Sequence, residues 1–312
     1  MNELDVIRHI TARLPAAPEE ILVGVGDDCA VLRLGNSDWV AAADMLVSGY
    51  HFEDAWATPE EVGYKAVAVN VSDVAAMGAT PRFVLVSGGA DDSATTLRLM
   101  EGVMEACAEF GVYPLGGDTT RASALTIDVA ILGELTASPV LRSGARPGDL
   151  LAVTGELGAS AAGFLALRDG RREPERLIQK HLRPEPRVDA GRMAARLEVG
   201  AMLDLSDGLA TDAGRICEAS GVGCRVDLEK LPVAEDTREV ATVFGRNVGE
   251  LAATGGEDYE LLISAPEKVM AALREELEIP LTVIGEVVEG DGATFIRNGE
   301  PVGSLSGWDH FV

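Results

Sequence analysis

Residues 58–81 read TPEEVGYKAVAVNVSDVAAMGATP. Thr58 offers the hydroxyl of an N-cap, Pro59 suits the first helical position, and Glu61 stands where a capping-box partner reaches back. Gly78 and Pro81 close the segment. The pattern predicts one helix, with Asn70 and Asp73 three apart on a shared face and Met77 four beyond Asp73. A carboxylate inside so apolar a helix has no ready structural use, which makes Asp73 a functional candidate.

Upstream, DWVAAADMLV (38–47) reads as a strand ending in Asp44. Downstream come a short strand, RFVLVS (82–87), and a helix around 94–110. In GGDTTRASALTIDVAILGEL (116–135) a glycine turn runs into a strand in which Leu125, Ile127, Val129 and Ile131 alternate. SGARPGD (143–149) has linker punctuation, which sets an expected boundary between domains 1–142 and 143–312. The second half opens with a strand, DLLAVTG, and a glycine loop into the helix ASAAGFLALRDG. An arginine-rich stretch over 168–192 reads as exposed. AMLDLSDGLATDAGRICEASG (201–221) reads as strand, turn and helix, ended by Gly221. No repeat is visible. Strands and helices without strict βαβ alternation predict α+β in both halves.

The 312 residues suffice for one large domain or two of ordinary size. An apolar fraction of 47% with 25% charged residues describes a soluble globular chain. No apolar run reaches the ~18 residues that a bilayer span needs. MNELDVIRHI lacks the layout of a signal peptide, so a cytoplasmic location is expected. Cys29, Cys107, Cys217 and Cys224 show no C-x-x-C spacing and read as reduced, buried thiols. The formal charge of −25 argues against nucleic acid and anionic membranes as partners, since both are held by Lys and Arg clusters. It fits a solvated acidic surface, carboxylates gathered around divalent cations, or both.

Five stretches share one local design, a carboxylate beside a glycine or small residue at the end of a strand or the start of a helix. They are GDDCAVL (26–32), AAADML (41–46), NVSDVAAMG (70–78), GGDTT (116–120) and LDLSDG (203–208). Glycine lets backbone amides and small ligands approach closely. Crowded carboxylates do not all stay ionised without a cation, and Mg²⁺ takes oxygen ligands while bridging carboxylates to phosphates. Any one such stretch is more often a turn or a cap, and Ser206 with Asp207 also suits the cap of the helix that follows. Five together point to metal.

Other templates fail. There is no G-x-x-x-x-G-K-[ST] loop. In GVGDDC the carboxylates stand where a pyrophosphate would have to approach. LDLSDG lacks the alternating ligands of an EF-hand. His9, His51, His181 and His310 are too scattered for a zinc motif, and only His51, shortly after Asp44, raises suspicion.

GDDCAVL, ADMLVSGYHF, YKAVAVNVSDVAAMGATP, GGDTTR, LRSGARPGD, DLSDGLATDAGRICEASGVG, GGEDYELL and the terminal GWDHF occur in an order that resembles the thiamine-monophosphate kinase family. That family belongs to the superfamily of aminoimidazole ribonucleotide synthetase and selenophosphate synthetase. The resemblance runs from residue 3 to 311, and most of its motifs are long. It implies a two-domain α+β fold whose N-terminal strands pair across a homodimer, with ATP, several Mg²⁺ ions and thiamine phosphate in the cleft between domains.

Position by position, the resemblance makes Asp28, Asp44, Asp73, Asp118, Asp204 and Asp207 metal ligands. It makes Phe110, Gly117 with Asp118, Arg142 and Ser206 nucleotide contacts, and His51, Glu257 and Trp308 substrate contacts. Two departures stand out. Hydroxyl residues usually precede the ADML aspartate, where this chain has Ala42 and Ala43, so only the Ala43 carbonyl remains for a metal. A tyrosine at the adenine position is Phe110 here, which keeps stacking and loses a hydroxyl.

The implied reaction is ATP plus thiamine phosphate giving ADP plus thiamine diphosphate. A phosphate nucleophile with a second pKa near ~6 is largely dianionic at neutral pH and needs no protein base. What it needs is neutralisation and in-line alignment, from Mg²⁺ and from the fixed charge of Arg142. A selenophosphate synthetase-like or hydrogenase-maturation activity is the alternative within the superfamily, and both use cysteines that this chain lacks at the matching places. A non-catalytic Mg²⁺- or nucleotide-binding homologue is the alternative of another class, favoured only by Ala42-Ala43.

Overall fold

The computed structural model describes residues 3–308; residues 309–311 of the GWDHF motif, His310 included, lie outside the described residues. After α1 (Glu3–Thr11) the first half builds a six-stranded sheet from β1 (Ile21–Val23), β2 (Ala30–Leu34), β3 (Ser37–Val47), β4 (Thr80–Ala90), β5 (Tyr113–Arg121) and β6 (Thr126–Glu134). Its order is β1-β2-β3-β6-β4-β5, antiparallel throughout except for the parallel β4–β5 pair. Helices α2 (Pro59–Ala76) and α3 (Ser93–Phe110) pack on one another and on one face of the sheet.

The capping box at Thr58 forms. The Glu61 amide donates to Thr58 Oγ1 at 3.3 Å and the Thr58 amide donates to Glu61 Oε2 at 2.7 Å. Glycine lets α2 and α3 touch backbone to backbone, since a Cβ on Gly63 would stand 2.0 Å from the Leu99 carbonyl and one on Gly102 1.9 Å from that of Glu60. With the sheet, α3 and α6 (Val188–Arg196) around it, α2 is buried on almost every side. This explains an apolar helix with so few polar positions, and it isolates Asp73 among them.

The second half forms a seven-stranded sheet in the order β13-β12-β9-β11-β7-β10-β8. Its strands are β7 (Leu150–Thr154), β8 (Ala201–Asp204), β9 (Gly223–Asp227), β10 (Leu261–Ala265), β11 (Leu281–Val288), β12 (Gly292–Arg297) and β13 (Glu300–Pro301). Helices α4 (Ala159–Arg168), α5 (Glu175–Leu182), α7 (Leu209–Ser220), α8 (Glu235–Val243), α9 (Val248–Thr254) and α10 (Glu267–Glu276) complete it. The chain is α+β in both halves. Leu167, Ile178 and Leu182 of the second half join the first core. Among the described residues no helix is long and apolar enough to cross a membrane.

Two local expectations need correction. GGDTT is no turn but part of β5, because its glycines let the strand lie close along β4; Gly117 has φ of 153°, and a Cβ there would meet the Val86 carbonyl at 1.6 Å. The arginine-rich segment is exposed on one side only. Leu177, Ile178, His181 and Leu182 are buried, and Arg187 is ion-paired to the buried Glu260.

Candidate active site

A cleft of about 850 Å³ opens between the two halves. Three acidic motifs meet at its edge, Asp28 and Asp73 lining the cleft and Asp204 buried against them. Asp28 comes from the loop before β2, Asp73 from α2 and Asp204 from the end of β8, with one carboxylate oxygen of each lying within 4.8 Å of the others. Ser72 Oγ donates to Asp204 Oδ2 at 2.6 Å, and Asp28 Oδ2 is buried with no hydrogen-bond partner. Burial, then the neighbouring carboxylates against the pull of Arg142, raises Asp28 to about 7. Burial, opposed by Ser72 and Arg142 and reinforced by Asp44, raises Asp204 to about 6. Asp73 is pushed well up by burial and by Asp44, Asp204 and Asp28. An orphaned carboxylate oxygen inside three mutually repelling acids fits a hard divalent cation.

Asp44 and Ala43 of β3, Ser206 and Asp207 line the same cleft. Arg142 lies against Asp28 with Nε at 3.1 Å from Oδ1, so it serves here as the counter-ion of the cluster. The two adjacent aspartates divide their work, because Asp27 accepts from the Arg142 backbone amide at 3.1 Å and fixes the loop that carries the guanidinium. Asp207 is ion-paired to Arg215, which also holds the fully buried Asp212 at 2.7 Å. Arg215 escaped the sequence reading because an i,i+3 Asp–Arg pair on a helix looks like a surface pair.

His51, Glu257 and Trp308 line the cleft as well, the Trp308 amide donating to the Asp207 carbonyl at 3.0 Å. His51 Nδ1 accepts from the Val47 amide at 3.1 Å, and Trp308 is 55% exposed. Glu257 Oε1 lies 2.7 Å from the buried Lys65 Nζ, and Oε2 lies 3.2 Å from His181 Nδ1. Burial works against the Glu257 charge, but Lys65 and His181 hold its carboxyl below the usual range. Burial and then Lys65 lower His181 to about 3, so its imidazole is neutral. Lys65 and His181 were not expected, since a lone lysine on an apolar helix and a lone histidine carry no motif.

Phe110, Gly117 and Asp118 do not line this cleft within one chain. The register runs Asp44–Val129–Val86–Gly117, three strand spacings of ~4.8 Å or about 14 Å across the sheet. Asp118 sits one residue on, in the row Met45–Asp128–Ser87–Asp118, so its side chain leaves the sheet on the face opposite to Asp44. Phe110 packs against Tyr64, with centroids 5.5 Å apart.

The family models for the AIR synthase related protein match the chain, the N-terminal domain over 26–135 and the C-terminal domain over 146–298. A thiamine-monophosphate kinase of Salmonella typhimurium is 37% identical over 100% of this chain and 98% of its own length. That of Bacillus subtilis is 35% identical over the whole of both. The chain belongs to the thiamine-monophosphate kinase family. Among solved structures, AaThiL complexed with AMPPCP and TMP superposes with a TM-score of 0.87 at 34% identity, over 99% of this chain and 97% of that one. The thiamine monophosphate kinase from Aquifex aeolicus gives 0.82 at 33%, over 96% and 98%. Hydrogenase maturation protein HypE shares the fold, with a TM-score of 0.70 at 20% identity. All four cysteines, Cys29, Cys107, Cys217 and Cys224, are free and buried.

Proposed function

We propose that this chain phosphorylates thiamine phosphate with ATP, giving ADP and thiamine diphosphate, in the cytoplasm. The observation that carries the reading is the convergence of Asp28, Asp73 and Asp204 beside Arg142 at a cleft that also presents Glu257 and an exposed indole. Asp28, Asp44, Asp73, Asp204 and Asp207, with the Ala43 carbonyl, are the groups that would hold Mg²⁺. When bound, Mg²⁺ supplies positive charge against the phosphates of donor and acceptor. Arg142 adds a fixed cation, Asp27 holds its loop, and Ser206 closes the nucleotide side. No residue of the cleft has to act as a base, because the attacking phosphate is already anionic. An ADP-release assay with thiamine phosphate, free thiamine and aminoimidazole precursors tests this; turnover is expected with the first alone, and turnover with another acceptor instead would overturn it.

The acceptor's thiazolium ring is cationic, and Trp308 presents the face that attracts a cation by ~0.5–2 kcal/mol. Trp308→Leu is expected to raise the thiamine-phosphate KM roughly 2- to 30-fold, at ~1.4 kcal/mol per decade. ATP KM and Tm should stay nearly constant. A large fall in Tm with an unchanged acceptor KM would make Trp308 a hydrophobic plug.

The homodimer belongs to the same reading. The sheet face away from α2 and α3 carries Met45 and Leu85, 53% and 47% exposed, and β5 is an open edge with Leu115 and Tyr113. Pairing that face with a second copy would bury it and carry Phe110, Gly117 and Asp118 toward the partner's cleft. Asp118→Asn and Asp204→Asn chains, each inactive alone, should recover about a quarter of normal activity when mixed and re-paired, because half the dimers then hold one intact site of two. No recovery, with dimers present in sedimentation, would put Asp118 in the same chain's site or outside it.

A further inference from the structure

Glu257 is held in a way that its role as one substrate contact does not require. Its backbone has φ of 63°, and Tyr259 two residues on has φ of 50°, a left-handed conformation that a non-glycine residue adopts at a cost of ~1–3 kcal/mol and keeps only where its surroundings insist. The Glu257 amide donates to the Ser206 carbonyl at 2.7 Å, which ties the strained turn to the nucleotide side. The side chain is 29% exposed to the cleft, while Lys65 and His181 behind it are 5% and 3% exposed. Lys65 is not among the residues that line the cleft, and His181, which is, shows it only a small part of its ring. Lys65 Nζ has no hydrogen-bond partner beyond its 2.7 Å ion pair, and His181 shares Nδ1 between Glu257 and Ser160 Oγ at 3.0 Å. Trp56 and Phe164 pack the imidazole in place, with centroids 5.5 and 5.3 Å away.

A bare structural ion pair joining α2 to the second half would explain the Lys65 contact. It would not explain why the carboxylate is turned to the cleft on a strained backbone, or why a neutral histidine holds its second oxygen. We infer that Lys65 and His181 are positioning residues that fix the Glu257 carboxylate, charged and immobile, as the counter-ion of the acceptor's cationic ring. This rests on the acceptor named above. It assigns a specificity role to two residues that act through the Glu257 carboxylate. An acceptor with a neutral ring would face a desolvated carboxylate with nothing to offset it, and a cationic ring completes the set of charges.

The groups facing Glu257 are Lys65 from α2, His181 from α5 and His51 from the loop after β3. Its neighbour Asp258 is turned away, accepting from the amides of Gly158 at 2.7 Å and Ser160 at 3.2 Å. With Lys65 gone, burial acts unopposed by its main partner and raises the Glu257 carboxyl. The charge contact is then present above the raised value and lost as pH falls through it.

The test is the KM for thiamine phosphate between pH 8 and 6, in the unaltered chain, Lys65→Met, Glu257→Gln and the double variant. Ionisation of the substrate is common to all four and cancels in ratios to the unaltered chain. For Lys65→Met the ratio should grow at least ~5-fold as pH falls, while for Glu257→Gln it is raised by about 10-fold and flat. ATP KM should not move. The double variant strands no buried charge, and it should match Glu257→Gln, because Lys65 acts only through the carboxylate. A flat ratio for Lys65→Met, an ATP KM rising in step, or a double variant worse than Glu257→Gln by the full effect of losing Lys65 would each overturn the role. Normal turnover with such profiles removes this inference alone; no turnover of thiamine phosphate by the unaltered chain removes the proposed reaction and this role together.

Discussion

Asp204→Asn and Asp73→Asn should each leave a folded chain whose phosphoryl transfer is lower by roughly two to four orders of magnitude. Each change removes one negative charge from a site where three carboxylate oxygens lie within 4.8 Å, and each keeps the shape of the side chain. At position 204 the amide oxygen of Asn still accepts from Ser72, whose hydroxyl lies 2.6 Å from Asp204 Oδ2. The fold therefore loses no hydrogen bond. In chelator the variants should melt slightly higher than the unaltered chain, because a repulsion is gone. Loss of activity paired with gained metal-free stability is the signature of a charge kept for binding. Near-normal turnover at limiting Mg²⁺ in either variant would remove that carboxylate from the cluster.

Adding Mg²⁺ should raise Tm by several degrees more than NaCl at matched ionic strength, and an ATP analogue should add to the shift. The effect should depend on pH with a definite sign. Asp28 and Asp204 titrate near 7 and 6 in the fold, above their ordinary value of 3.8, so the folded chain binds more protons than the unfolded one between those limits. Their ionisation without metal costs stability at pH 8, by an amount on the order of a few kcal/mol, and that cost is relieved as pH falls through 7 and 6. Mg²⁺ relieves the same repulsion. Its stabilising effect should thus be large at pH 8 and small near pH 5.5, where protons have already done the work. Equal shifts with both salts at every pH would mean general screening of an acidic surface.

What the sequence made legible was whatever repeats locally or carries its own punctuation. The helix over 59–76 was readable because Thr58, Pro59 and Glu61 each mark its start, and the acidic stretches were readable because each sets a carboxylate beside a glycine or a small residue. The role of GGDTT was misread as a turn, since glycine marks both a turn and a close approach between strands, and only the register against β4 separates the two. Lys65 and His181 were invisible for another reason. Each draws its meaning from a partner brought by the fold, Glu257 lying 192 positions from Lys65 and 76 from His181 in the numbering. Phe110 was identified through family resemblance alone and Asp118 through its acidic stretch as well, and the opposite face of the sheet keeps Asp118 from the cleft of its own chain.

Lys65 and Asp73 stand eight residues apart on one unbroken helix, which at 1.5 Å per residue is about 12 Å. In the proposed reading, the anchor of the acceptor's counter-ion and one carboxylate of the metal cluster are therefore joined by a rod with no hinge in it. The second half, which brings Glu257 and Asp204, closes onto these two fixed points, Glu257 onto Lys65 and Asp204 beside Asp73. Selection of the acceptor then has a geometric part independent of chemistry: the helix works as a gauge, and a molecule whose charged ring and reactive phosphate are spaced too short or too long fails at one end whenever it fits the other.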